Sequence, residues 1–110
     1  MIAYDTVTVR YPGAPHPALE GVSLAAARGS LTAVVGPNGS GKSTLVRSLI
    51  GRLPLASGTI LVDGRPAREL DRLALARRVA VVTQREETTF ALAVREYIAM
   101  GRYPHIGGWR

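Results

Sequence analysis

The sequence has no cysteine, few aromatic residues and no long apolar run. The absence of cysteine excludes disulfide bonds and thiolate metal sites, and it suits a reducing compartment. No run approaches the ~18 apolar residues that a membrane-spanning helix needs. Residues 1–11 alternate between polar and apolar types, which differs from the apolar core of a secretory signal. We therefore expect a cytoplasmic globular chain.

The chain is basic, and almost all of its positive charge comes from arginine because lysine is nearly absent. The 14 lysines and arginines outnumber the 8 acidic residues to give a net charge of +6, and Lys42 is the single lysine. A basic chain can bind nucleic acid or an anionic membrane, or it can simply have a solvated basic surface. Here the arginines are scattered, and no aromatic residues interleave with them as base stacking would require. This distribution favours a solvated surface and predicts no nucleic-acid partner.

The run GPNGSGKST, residues 36–44, follows the pattern G-x-x-x-x-G-K-[ST] of a phosphate-binding loop. Its glycines allow backbone conformations in which successive N–H groups surround an anion at the start of a helix. Lys42 would place a compact charge on the β- and γ-phosphates, and the Ser43 hydroxyl would ligate Mg²⁺. A glycine-rich helix cap would explain the glycines, but not a Lys-Ser pair in register after a β-type pentad. The predicted nucleotide-binding residues are Gly36, Pro37, Asn38, Gly39, Ser40, Gly41, Lys42, Ser43 and Thr44.

Strand and helix patterns alternate along the rest of the chain. Residue type predicts strands over 2–11, 21–27, 31–35, 57–64 and 79–83. The segments 31–35 and 79–83 are almost wholly apolar, as strands buried on both faces would be. Helical spacing begins at Ser43 and ends at Pro54, and it recurs over 69–78 and 94–101. The alternation predicts an α/β layer fold with an antiparallel portion formed by the first strands.

Three segments together resemble the N-terminal part of an ABC transporter ATP-binding subunit. They are VRYPGAPHPALEGVSLAAARGSLTAVVGPNGSGKSTL, VAVVTQ and FALAVREYIAMGRYPHIGGW, and they cover the chain almost end to end. The resemblance implies a P-loop NTPase fold of the ABC ATPase type, cut before its later core strands. Residues 1–90 would then belong to the ATPase core and residues 91–110 would begin its helical subdomain. The GRYPH sequence, residues 101–105, is similar to importer subunits for iron–siderophore, haem or cobalamin complexes.

The resemblance also implies roles for single residues. Tyr11 would stack on the adenine of ATP, whose ring a tyrosine can cover without base-specific contacts. Gln84 would reach Mg²⁺ and the attacking water, so Lys42 and Gln84 are the predicted catalytic residues and Ser43 and Gln84 the predicted Mg²⁺ ligands. The implied partners are a transmembrane permease subunit and a second ATP-binding subunit. The implied location is the inner face of the cell membrane.

Other features of that family cannot be located in the sequence. These are the Asp that holds Mg²⁺, the Glu that polarises water, the signature motif and the switch histidine. Glu86 and Glu87 adjoin Gln84 and lie on no predicted buried strand, so neither is assigned as the catalytic acid. We therefore expect the chain by itself to lack family-like ATP turnover. Two alternatives stay open: another P-loop enzyme such as a small nucleotide kinase, and a non-catalytic remnant.

Overall fold

A computed structural model describes residues 1–51, 53–82 and 93–105. The chain divides into two compact units, Met1–Asp71 and Arg72–Arg110. The predicted boundary after residue 90 lies outside the described residues and stays a prediction. No helix in the described ranges is long and apolar enough to cross a bilayer.

The first unit is built around a four-stranded antiparallel sheet. Its strands are β1 (Ile2–Val9), β2 (Leu19–Ala26), β3 (Ser57–Val62) and β4 (Arg65–Pro66), in the spatial order β2-β1-β3-β4. Among the residues of this unit that the structure describes, helix α1 (Lys42–Leu49) and a 3₁₀ turn at Ala67–Glu69 accompany the sheet. Strands occupy the predicted ranges 2–11 and 57–64, β2 overlaps the predicted range 21–27 but begins earlier at Leu19, and the antiparallel portion is confirmed.

The hairpin between β3 and β4 turns on Asp63 and Gly64. Both residues have positive φ, 50° and 82°, and Val62 pairs directly with Arg65. A two-residue loop with positive φ at both positions matches the right-handed twist of the flanking strands. The Asp-Gly pair therefore determines this turn locally, since such pairs favour a two-residue hairpin loop.

A bulge interrupts β1 at Asp5–Thr6. The pairing register with both neighbouring strands shifts there, and Thr6 has a φ of 51°, which is unusual for a β-branched residue. Strict alternation would put Tyr4 and Val7 on opposite faces of the strand. The bulge instead leaves both buried, with Asp5 and Thr6 exposed between them.

The core lies between this sheet and α1. Its buried apolar side chains come from β1, from the sheet partners of β1, from α1 and from the 3₁₀ turn: Tyr4, Val7, Val9, Leu19, Leu49, Ile60, Val62 and Ala67. The buried face of α1 also carries the small polar residues Thr44 and Ser48. The helix ends at Leu49, before the predicted stop at Pro54, because Gly51 takes a positive φ of 81°.

Two predicted buried strands are absent from the described residues. The segment 31–35 forms no strand, and Leu31 and Val35 are 99% and 89% exposed. Residues 79–82 form no strand either, and Val82 is 91% exposed. The prediction is wrong for the described residues because a two-sided buried strand needs hydrogen-bonded neighbours and a layer on each face. The described part of the chain places no strand beside either segment.

The second unit contains short helices. Helix α2 covers Arg72–Ala76, and helix α3 covers Val94–Ala99 and continues as a 3₁₀ helix over Met100–His105. Within this unit, the Arg77 guanidinium donates to the Pro104 carbonyl. Helices fall within both predicted ranges, 69–78 and 94–101.

Candidate functional site

The phosphate-loop candidate begins with a tight turn. The Ser40 N–H donates to the Pro37 carbonyl at 3.2 Å, and Gly39 within this turn has a φ of +87°. A Cβ on Gly36 would lie 2.8 Å from the Ser40 Oγ. The loop is thus folded closely on itself before it reaches the helix.

Gly41 anchors the loop against the sheet. Its φ is +100°, and a Cβ at this position would lie 2.9 Å from both the Ala18 carbonyl oxygen and the Leu19 Cδ2. Both the backbone conformation and the lack of space therefore require glycine. The structure explains the second glycine of the motif by its close approach to Ala18 and to Leu19, the first residue of β2. The motif itself does not reveal this contact.

Helix α1 starts immediately after Gly41. The Leu45 N–H donates to the Gly41 carbonyl at 3.0 Å, and the Gly41 cap contributes no side-chain hydrogen bond to the helix. The first N–H groups of a helix have no partner within it, and the positive end of the helix dipole lies there. This end of α1 therefore favours an anion.

Lys42 is unusual at this place because a cation at a helix amino end opposes the helix dipole. No acidic residue lies in the first turn of α1. The Lys42 ammonium instead donates to the Gly36 carbonyl at the other end of the loop. The Lys42 ammonium and the amino end of α1 are thus two sources of positive potential at the loop. An anion bound between them would reduce their mutual repulsion.

A cavity of about 250 Å³ opens beside this helix end. Six predicted binding residues line it, together with the adenine-stacking candidate and one further residue: Asn38, Gly39, Gly41, Lys42, Ser43, Thr44, Tyr11 and Ala18. Gly36, Pro37 and Ser40 belong to the loop but do not line the cavity. Sites that enclose a whole drug-sized ligand measure about 300–1,000 Å³, so this cavity suits the phosphate end of a nucleotide.

Tyr11 lies at the edge of the cavity. Its hydroxyl and that of Thr44 are 3.0 Å apart and share a hydrogen bond. This bond lowers the pKa of the Tyr11 phenol, and the Arg47 guanidinium contributes a smaller decrease. Thr44 is buried, so its hydroxyl joins the tyrosine to the helix.

Gln84 lies outside the described residues, so its role stays a prediction. The structure adds two residues near the site that the sequence patterns did not single out. Ala18 lines the cavity, and Tyr4 donates from its hydroxyl to the Leu45 carbonyl of α1 at 2.5 Å. Nothing in the local sequence identifies Ala18. The bulge that turns Tyr4 inward is likewise invisible to a two-residue period.

The loop, the uncapped helix end and the cavity together form a candidate site for an anion. The ABC transporter family profile matches residues 19–104, and the chain belongs to this family. Family membership sets aside the small nucleotide kinase alternative. Family membership also confirms the predicted fold class. The described sheet and helices represent only part of that fold.

Curated relatives agree with this assignment. The hemin import ATP-binding protein HmuV of Streptomyces coelicolor is 44% identical over 95 residues, which cover 86% of this chain and 34% of the relative. The cobalamin import ATP-binding protein BtuD of Halobacterium salinarum is 42% identical over 87 residues, which cover 79% of this chain and 22% of the relative. The chain thus spans about a third or less of the length of these relatives.

A solved structure of an ABC transporter is also similar to this chain in fold and sequence. A bacterial Atm1-family ABC exporter with ATP bound matches with a TM-score of 0.63 and 35% sequence identity. The match covers 67% of this chain and 13% of that chain.

Proposed function

We propose that this chain forms the nucleotide-binding part of the ATP-binding subunit of an ABC importer. The observation that carries the proposal is the arrangement at the start of α1. An uncapped helix end, a glycine that contacts Ala18 and the single lysine of the chain all lie around one cavity. These features suit a bound phosphate chain better than a packed protein interior.

Residues of the loop would hold MgATP as follows. The amide groups of residues 36–44 and the Lys42 ammonium would bind the phosphates, and the Ser43 hydroxyl with the Gln84 side chain would hold Mg²⁺. Ser43 is exposed and lines the cavity, which leaves its hydroxyl accessible to a metal ion. ATP would supply the phosphoanhydride bond whose cleavage releases the free energy for transport.

Tyr11 would support the adenine. Its hydroxyl is already engaged by Thr44, so the ring is held at the cavity edge by a bond that does not use its faces. A ring face is the part of a tyrosine that stacks on a purine.

The cargo and partners are proposed from the relatives. HmuV is a hemin import ATP-binding protein and BtuD a cobalamin import ATP-binding protein. We infer that the subunit containing this chain powers uptake of an iron chelate, haem or cobalamin. It would act with a transmembrane permease subunit and a second ATP-binding subunit at the inner face of the membrane. Residues 91–110 would begin the helical subdomain, after an ATPase-core part over residues 1–90.

The chain by itself would bind ATP without steady turnover. No carboxylate of this sequence is assigned to polarise water, because Glu86 and Glu87 directly follow Gln84 and Arg85, and Asp63 lies in the β3–β4 turn. Steady hydrolysis by the purified chain that Lys42→Ala abolishes would overturn this part of the proposal.

Calorimetric titration with MgATP tests the binding site. Lys42→Ala should weaken affinity about 10- to 100-fold, the range expected for a lost hydrogen bond to a charged group. Arg65→Ala removes the same charge from an exposed position on β4 and should leave affinity unchanged. Equal affinity in the wild type and Lys42→Ala, or no binding by the wild type, would refute the proposal.

A second titration separates adenine stacking from phosphate binding. Tyr11→Ala should weaken ATP binding by roughly 10-fold, because a base–aromatic stack contributes about 1–3 kcal/mol. Tripolyphosphate has no base, so its affinity should change much less. Equal losses for both ligands would show that Tyr11 acts on the loop rather than on adenine.

A further inference from the structure

We propose that Tyr4 is a positioning residue of the nucleotide site, acting through helix α1. This inference rests on the proposed function and names a residue outside the phosphate-loop motif. Tyr4 lies on β1, is 7% exposed and donates from its hydroxyl to the Leu45 carbonyl at 2.5 Å. It does not line the cavity, so any effect on a ligand must pass through the helix.

Hydrogen bonds to the Leu45 carbonyl help to set the position of the start of α1. It belongs to the first turn of α1, whose amino end carries Lys42 and the uncapped N–H groups. The Ser48 hydroxyl donates to the same carbonyl at 2.9 Å. Two side-chain donors therefore converge on one backbone oxygen. Together with the α1 side chains Thr44 and Leu49, which are buried in the core, they fix where the helix starts.

Tyr4 reaches this carbonyl only because of the bulge at Thr6. Without the extra residue, Tyr4 would lie on the opposite face of β1 from Val7 and Val9. At the bulge, the Thr6 N–H donates to the Ser23 hydroxyl at 2.9 Å instead of to a strand carbonyl. The irregular strand thus has its own hydrogen-bond partner on β2.

Gly58 makes room for the bulge. It has a φ of +86°, and a Cβ at this position would overlap the Thr6 carbonyl oxygen and lie 2.7 Å from the Asp5 carbonyl oxygen. A chain of contacts therefore runs from Gly58 through the bulge to Tyr4, and from Tyr4 to the first turn of α1. None of these residues belongs to the G-x-x-x-x-G-K-[ST] motif.

Titration with magnesium tripolyphosphate tests the inference, because this probe engages the phosphate loop without adenine. Tyr4→Phe removes only the hydroxyl and should weaken binding about 3- to 10-fold, as expected for the loss of one buried hydrogen bond. The carbonyl ¹³C resonance of Leu45 should shift in the same variant. The matched control is Val62→Ala, which removes buried apolar atoms from β3 but no hydrogen bond. It should lower thermal stability and leave both readouts unchanged.

The outcomes separate this inference from the function it rests on. If the wild type fails to bind tripolyphosphate, the nucleotide proposal fails and this inference fails with it. If the wild type binds and Tyr4→Phe binds equally well, only the positioning role is refuted. Equal weakening in Tyr4→Phe and Val62→Ala would also refute it, since general destabilisation would then explain the loss.

Discussion

Strand β1 and the segment 31–35 are both short and rich in β-forming residues, but only β1 forms a buried strand. In β1, Val7 is fully buried between two neighbouring strands. In the segment 31–35, Val35 is 89% exposed and no strand is formed. The residue types are similar, so β propensity does not account for the difference.

The availability of neighbours accounts for it. Strand β1 pairs on one side with β2 and on the other with β3, and α1 covers one face. The segment 31–35 has no strand beside it within the described ranges. A strand is stabilised by cross-strand pairs and by burial, and neither can come from the strand's own sequence.

The largest expected effect lies in the packed region, at the bulge. Gly58→Ala should lower the free energy of unfolding by about 2–4 kcal/mol, because a methyl group would collide with the Thr6 backbone. The matched control is Gly64→Ala, where φ is similarly positive at +82° but nothing lies within 4 Å. It should cost only about 1 kcal/mol. Urea denaturation measures both, and equal losses would show that the bulge tolerates a side chain.

A pair of valine substitutions tests the comparison directly. Val7→Ala should cost about 2 kcal/mol, from two buried methylene equivalents and the cavity they leave. Val35→Ala should change stability by less than about 0.5 kcal/mol, as exposed substitutions do. The same denaturation curves provide the measurement. A loss at Val35 as large as that at Val7 would mean that the segment is buried in solution.

Exposed apolar segments should also make the chain self-associate. Val35→Lys introduces a charge into the segment 31–35 and should slow aggregation several-fold, since lysine discourages intermolecular strand pairing. Light scattering at rising concentration measures the rate. The matched control, Arg65→Lys, exchanges one exposed cation for another and should have no effect. An unchanged rate in Val35→Lys would place the association surface elsewhere.

The smallest effect concerns the pH dependence of the packed region. Burial raises the pKa of the Tyr4 phenol above its ordinary value of 10.0, and a hydrogen bond with Ser48 offsets part of the increase. The folded chain then keeps a proton that the unfolded chain releases, so the free energy of unfolding should fall as pH rises above 10. Tyr4→Phe should make this decline shallower in urea titrations between pH 9 and 11.

Tyr11 has the opposite effect on how the free energy of unfolding depends on pH. Its pKa is lowered, chiefly by the bond with Thr44, so its ionisation should stabilise the folded chain as pH rises toward 10. Tyr11→Phe should therefore make the alkaline decline steeper. If both variants shift the curve in the same direction, the environments of the two phenols have been assigned wrongly.

Sequence patterns predicted much of the local structure. The strands that overlap the predicted ranges 2–11, 21–27 and 57–64 follow from alternation, and the turn at Asp63-Gly64 follows from turn chemistry. Both signals depend on adjacent residues. The loop at 36–44 is equally local, because its glycines and Lys42 act within a few residues of one another. The resemblance to ABC transporter ATP-binding subunits was confirmed by the family match.

The errors arose where a distant residue decides the outcome. The segments 31–35 and 79–83 carry the composition of buried strands, but only neighbouring strands could bury them. The helix end is a different, local case: the sequence predicts a stop at Pro54, but Gly51 ends the helix first, and both residue types terminate helices. The contact between Tyr4 and Leu45 joins residues 41 positions apart, which no periodicity can indicate.

By itself, the sequence determined the G-x-x-x-x-G-K-[ST] loop, the β3–β4 turn and membership of the family, because each is encoded by residues close together in the chain. Only the tertiary structure decided which apolar segments are buried, why Gly41 and Gly58 must lack side chains, and how Tyr4 reaches helix α1. Those features depend on backbone atoms brought together from distant positions, and their distances are set by packing rather than by local conformational preference.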